Sequence, residues 1–262
     1  MTANDPLAAL LLDEVDWKAP WLEPLAVAGQ RVVARVAAGA GVHEALGTGS
    51  EKSFVASDAL PRGEAYEAFI ARTSNVPTRS NLHDFFNALI WQHYPLTKSQ
   101  LNRLQAGALA QQGVGPVRGP LRDACTLFDE NGAVLQAPAA LWQALLARDW
   151  QALFVTHRAL WREARLSILG HAALEQLVHP RKGLTVHVLA VSCPVPVAPD
   201  ALKNIAAVDH WLCAELDVDL MRRKPFTPLP VLGIPGWWQA NAALSFYDDL
   251  AVFRPRRVPT KP

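Results

Sequence analysis

The chain has little cysteine, little tyrosine and almost no net charge. Three cysteines stand far apart, at positions 125, 193 and 213 of 262 residues. They form no Cys-x-x-Cys pair, which excludes thioredoxin-type, zinc-ribbon and haem-attachment motifs. An odd, scattered set of thiols fits reduced cysteines in the cytoplasm rather than a disulfide framework. No run of about 18 apolar residues occurs, so no transmembrane segment is expected. The apolar stretch at 7–12 is too short for a signal peptide and lacks a basic leader. The formal net charge is +1, and no Lys/Arg stripe runs through the body. A duplex-binding protein needs such a face to neutralise phosphates, so there is no nucleic-acid signature. Arg254, Arg256, Arg257 and Lys261 make the end of the chain basic, and residues 256–262 read as a flexible tail. Also missing are the G-x-S-x-G elbow, the G-x-x-x-x-G-K-[ST] loop and a G-x-G-x-x-G turn, which argues against common serine hydrolases, P-loop enzymes and Rossmann oxidoreductases.

What is present is apolar bulk on a punctuated chain: 50% hydrophobic residues, 9 Trp and 20 Pro. The length suits one large domain, and no repeat or linker divides it, so residues 1–255 read as a single globular unit. Helices are expected over 6–47 with breaks at Pro20 and Pro24, then 63–72, 81–93, 98–112, 139–147, 149–164, 170–178 and 200–216. A short strand is expected near Phe54, and 75–80 reads as a turn. Asn131-Gly132 between apolar runs predicts a β-hairpin over 124–136. Residues 184–191 alternate as a strand, whereas 165–169 fit either a strand or a helix end. The last 45 residues, rich in Pro and Gly and holding Trp237 and Trp238, read as an ordered irregular wrap. The expected fold is α+β: a predominantly helical single domain with a small antiparallel sheet.

The helix at 81–93 carries the densest chemistry. At 100° per residue Leu82, Phe85, Phe86, Leu89 and Ile90 share one face, and His83, Asp84, Asn87 and Trp91 occupy the opposite arc. His83 and Asn87 are one turn apart, so their side chains can converge. Asp84 also suits the first turn electrostatically. The arc reads as a pocket wall, with His83, Asp84 and Asn87 as catalytic candidates and Trp91 as a flat floor. His171, Glu175 and His179 recur at four-residue spacing on the 170–178 helix, and a His and a carboxylate one turn apart suit a metal pair. His171 and Glu175 are the metal candidates, although the H-E-x-x-H motif is absent. Arg79, Arg122, Trp91 and Trp237 are the substrate-binding candidates. Asp129 and Glu130 are explained as turn residues at the hairpin tip.

Several runs together resemble a known proteobacterial family: Val76-Pro-Thr-Arg79, Asn81-Leu-His-Asp-Phe-Phe-Asn87, Leu101-Asn-Arg-Leu-Gln105, Arg118-Gly-Pro-Leu-Arg-Asp123, Leu127-Phe-Asp-Glu-Asn-Gly132, Gly170-His-Ala-Ala-Leu-Glu175, Leu229-Pro-Val-Leu-Gly-Ile-Pro-Gly-Trp237, Tyr247-Asp-Asp249 and Val252-Phe-Arg254. The family is known as domain of unknown function 3025. The resemblance covers roughly Phe54 to Pro255 and implies one family-length domain. It brings no activity or catalytic residues with it. One departure is that Asn241-Ala-Ala-Leu-Ser-Phe246 lacks the acidic residue expected after the Asn.

Two functional expectations follow. The first is a soluble bacterial enzyme, a metal-assisted hydrolase of a small anionic substrate, in which a divalent metal or a neutral His activates water. The alternative is a non-catalytic protein-binding or assembly protein that uses its Trp/Pro-rich surface.

Overall fold

The computed structural model describes residues 10–47, 52–112 and 119–256. The start of the apolar run at 7–12, the segment with Arg118 and the basic tail from Arg257 onward fall outside the described residues. In chain order the elements are α1 (Ala26–Ala37), α2 (Val42–Leu46), β1 (Ser53–Ala56), α3 (Tyr66–Thr73), β2 (Asn75–Thr78), α4 (Leu82–His93), α5 (Pro95–Gln112), α6 (Pro120–Asn131), β3 (Gly132–Gln136), α7 (Ala139–Ala147), β4 (Arg165–Ile168), α8 (His171–Gln176), β5 (Thr185–Leu189), α9 (Ala201–Glu215), α10 (Val218–Arg222) and β6 (Phe226–Pro230). Short 3₁₀ and π turns fill much of the rest. The fold is α+β and predominantly helical, as expected. One cluster of buried apolar side chains runs from Leu12 to Phe253.

The strands form two small sheets. β1 and β2 pair in parallel, Phe54 opposite Val76. The other sheet has the order β4-β3-β5-β6. Within it, β3 is antiparallel to β4 and parallel to β5, and β5 is antiparallel to β6. The sheet is therefore mixed rather than purely antiparallel. Residues 165–168 take the strand form that their short run left open. The C-terminal wrap begins as β6, whose Pro228 and Pro230 are tolerated because it is an edge strand. Residues 75–78 are a strand rather than a turn.

The expected hairpin at 124–136 is absent, and this difference matters most for the site. Pro120 occupies the start of α6, where its missing N–H costs nothing. Leu121, Ala124, Cys125 and Phe128 then recur at helical spacing and are all buried. Asn131-Gly132 is the exit of that helix, not a two-residue turn. Gly132 has φ −75° and ψ 151°, whereas the hairpin turn needs positive φ at both central residues. Glycine is required at 132 by proximity, since a Cβ there would meet the Phe128 carbonyl oxygen at 2.2 Å.

Two further joints set the site. The Gly132 carbonyl accepts from the amides of Leu169 (3.0 Å) and Gly170 (2.8 Å). This places the start of α8 against the end of α6. A Cβ at Gly170 would stand 2.4 Å from Asn131 Cα, so only glycine permits the approach. At the other joint Pro95 ends α4 and opens α5 immediately, earlier than the Lys98 start expected from sequence. Thr97, the residue just before that expected start, does not cap the helix; its amide and hydroxyl both donate to Asp209. Instead the buried Asp209 of α9 accepts from the amides of Leu96 (3.0 Å) and Thr97 (2.8 Å), supplying the first-turn partners.

Candidate functional site

α4 is buried on nearly every side. Leu82, Phe85, Phe86, Leu89 and Ile90 face the core, each burial contributing about 1.5–3 kcal/mol. Asn81 caps the helix, its side chain accepting from the Asp84 amide at 2.7 Å. The opposite arc lines a cavity of about 540 Å³. Tyr66 of α3, Lys98 of α5, Asp129 and Glu130 of α6, and His171 of α8 complete its polar wall, with Arg79 at one side.

His83 and His171, distant in sequence, meet here. Their Nε2 atoms are 3.0 Å apart, with the rings edge to face. Glu130 Oε2 lies 3.7 Å from His171 Nε2 and 4.0 Å from His83 Nε2. One ligand atom from each of His83, Glu130 and His171 fits within 4.8 Å of the others. Glu175 does not join this trio. Its Oε2 sits 2.8 Å from His83 Nδ1. A carboxylate there fixes the proton on Nδ1 and leaves Nε2 bare whenever the ring is neutral. The expected pairing of His171 with Glu175 is corrected: Glu130, not Glu175, lies with His83 and His171, and Glu175 meets His83 Nδ1 instead. The correction follows from α6 being a helix, because its last turn carries Glu130 inward where a hairpin tip would have left it in solvent.

The other candidates separate clearly. Asp84 receives the Arg79 amide (2.7 Å), Nε (3.0 Å) and Nη2 (2.8 Å). Both of its oxygens are thus occupied by one arginine, and it acts as the anchor of Arg79 rather than as a free acid or base. Arg79 keeps N–H groups to spare, and Asp84 holds its guanidinium firmly charged. Asn87 and Trp91 line the cavity as the helix spacing predicts. Arg122 and Trp237 do not. Arg122 lies on α6 away from the cavity, and Trp237 packs against Trp21 with ring centroids 5.9 Å apart. His179 pairs with Glu14 at 3.1 Å on the surface.

Besides Glu130, the structure brings three further groups to the site, Lys98, Tyr66 and Asp129. Lys98 is only 5% exposed, and it donates to Asp129 and, at 2.8 Å, to Asn87 Oδ1. Its ammonium also lies 5.3 Å from the centre of the Trp91 ring. Asn87 Nδ2 in turn donates to the Tyr66 hydroxyl at 3.0 Å. Asp129 is the third. The spacing of Leu121, Ala124, Cys125 and Phe128, read as helical, would have placed Asp129 and Glu130 on the helix end.

Burial and charge set the protonation of this wall. Burial pushes Asp129 up, but Lys98 and then His171 outweigh it and hold the carboxyl below its usual range. Glu130 is pushed up, first by burial and also by Asp129, while His83 opposes the rise. Burial lowers His171 to about 4, with Asp129 opposing and Lys98 and His83 adding to the fall. A neutral imidazole is the form that can ligate a cation. Tyr66 is raised by burial, then by Asp129 and Asp84, so the phenol keeps its proton.

Among the described residues no helix is long and apolar enough to cross a membrane. No curated protein and no solved structure matches the chain. A family model described as Protein of unknown function (DUF3025) matches residues 52–257, and the chain belongs to that family.

Proposed function

We propose that the cavity is a metal-dependent hydrolytic centre for a small anionic substrate, in which His83, His171 and Glu130 hold a divalent cation. The observation that carries this reading is the approach of the two Nε2 atoms to 3.0 Å beside Glu130. Ligand bonds of 2.0–2.1 Å at tetrahedral to octahedral angles set neighbouring donors about 2.8–3.4 Å apart. The two nitrogens already have that spacing, and Glu130 needs only a small inward movement. Two histidines and one carboxylate leave open positions, as catalytic zinc or iron(II) sites do. Glu175 on His83 Nδ1 is the outer carboxylate such a histidine usually has.

Charge balance supports the same reading. Arg79–Asp84 and Lys98–Asp129 cancel as pairs, whereas Glu67 and Glu130 line the cavity with no lysine or arginine partner among the described residues. A divalent cation offsets that excess and lets an anionic substrate enter. A divalent cation held by His83, His171 and Glu130 would activate a water and polarise a substrate oxygen. In a hydrolysis of this class the water oxygen would bond to the electrophilic carbon or phosphorus as the bond to the leaving group breaks, and the leaving group would take up the proton. Unpaired cysteines at 125, 193 and 213 fit a cytoplasmic location. We read residues 1–255 as one functional unit.

Metal analysis of the purified chain tests the reading. We expect about one equivalent of zinc, manganese or iron, lost in His83→Ala and in His171→Ala. A metal-free wild type whose melting temperature does not move with added Zn²⁺, Mn²⁺ or Fe²⁺ would remove it.

A further inference from the structure

The hydrogen bonds beside the proposed metal position dictate where one proton points. The Lys98 ammonium can only donate. It donates to Asp129 and to Asn87 Oδ1, at 2.8 Å in the latter case. An amide whose oxygen is engaged this way turns its NH₂ outward, and Asn87 Nδ2 donates to the Tyr66 oxygen at 3.0 Å. The phenol therefore accepts in that bond, and its own O–H must point elsewhere. Among the described residues that proton meets no acceptor, although Tyr66 lines the cavity. Burial keeps the phenol protonated, so it remains a donor. Tyr66 is only part-buried, so its O–H is open to the cavity, where a ligand oxygen can replace water as the acceptor.

We propose that Tyr66 binds the substrate directly, its O–H donating to an oxyanion, carboxylate or phosphate, of a ligand bound at the metal. Asn87 is the positioning residue, and Lys98 fixes its amide. The proposal rests on the metal reading for the oxyanion's second partner. Trp91, Leu60, Ile70 and Leu101 supply apolar wall for the ligand's organic body.

The test uses the full chain loaded with Co²⁺, titrated with acetate and separately with inorganic phosphate, with cobalt absorption as the readout. The two arms separate a carboxylate site from a phosphate site. We expect wild type to bind at least one anion and Tyr66→Phe to bind it about 10- to 100-fold more weakly, the usual loss for a hydrogen bond to a charged group. Affinity for Co²⁺ should be unchanged. Asn87→Asp provides the control. Its carboxylate accepts from both Lys98 and Tyr66 and so draws the phenol proton away. In that background Tyr66→Phe should cost nothing more. The added charge acts alike with and without the hydroxyl, so the difference between backgrounds reads the proton alone.

Equal anion affinity in wild type and Tyr66→Phe overturns the proposal while leaving the metal reading intact. So does a cobalt-loaded wild type that binds neither anion. Failure of the metal reading appears separately, as a chain that binds no Co²⁺. Calorimetry of the metal-free chain with the same anions then decides the role of Tyr66: no binding, or equal binding by Tyr66→Phe, overturns it, and a 10-fold loss supports it.

Discussion

The cavity and the aromatic cluster beneath the C-terminal segment both gather rings and polar groups, but they treat the polar groups differently. In the cluster, Phe154 stacks on Trp150, Trp161 and Tyr247 at centroid distances of 6.1, 5.9 and 5.4 Å. The polar atoms around it are paired. Tyr247 donates to the Gly233 carbonyl (2.9 Å) and accepts from Arg158 (3.0 Å). Trp150 and Trp161 donate to the carbonyls of Arg254 (2.7 Å) and Leu153 (2.9 Å). Asn241 donates to the carbonyls of Leu232 and Ile234. Around the cavity three carboxylates crowd two histidines, and among the described residues the Tyr66 O–H has no acceptor and the buried Trp91 N–H has no partner. Saturated polar groups mark a region built for stability. Unsaturated ones mark a region that trades stability for binding.

The largest effect that would break this contrast comes from Phe154→Ala. The side chain is fully buried at the centre of the cluster. Its loss should cost about 3–5 kcal/mol of stability, read by urea denaturation. Metal affinity in the folded fraction should not change, because Phe154 is not a cavity residue. A coupled loss of metal would show that the two regions are not independent.

Next in size is Glu175→Gln. Removing the carboxylate from His83 Nδ1 keeps the shape but loosens the ring's tautomer and aim. Metal affinity should fall about 10- to 100-fold, the range seen for outer partners of ligating histidines. Competition with a chelator measures it. An unchanged affinity would mean that Glu175 is only a surface partner of His83.

The difference between the two regions also explains what the sequence made legible. The arc of His83, Asn87 and Trp91 was readable because helical spacing alone decides which side chains share a face. His171 was found the same way. The place of Glu130 beside the two histidines was not readable, because it depends on whether Asp129-Glu130-Asn131-Gly132 turns a hairpin or ends a helix. A local Asn-Gly signal favoured the hairpin. Pro120 and the helical spacing of Leu121, Ala124, Cys125 and Phe128 favoured the helix, and the longer pattern won. Lys98 and Tyr66 were invisible for another reason. Each looks ordinary on its own helix, and their chemistry exists only where α3, α4 and α5 meet. Trp237 failed as a site residue because a large ring on an irregular segment gives no direction, and Trp21 was its partner.

The smallest effect concerns histidines outside the cavity and sharpens the contrast with it. Burial lowers both His93 and His187 from the ordinary 6.5, with the Leu89 carbonyl partly opposing it at His93. Each is held neutral in the fold but charges readily once unfolded. The unfolded state thus binds more protons as pH falls below about 6.5, and stability falls with it until the lowered native values are passed. His187 has a buried Nδ1 without a partner among the described residues, so a neutral replacement loses no bond there. His187→Gln should therefore flatten the acid side of the stability curve while leaving stability near pH 8 almost unchanged. Melting temperatures of the metal-free chain between pH 5 and pH 8 measure this, because removing the metal keeps its own pH-dependent binding out of the comparison. A curve for His187→Gln that runs parallel to wild type would place the acid sensitivity at His93 and the cavity instead.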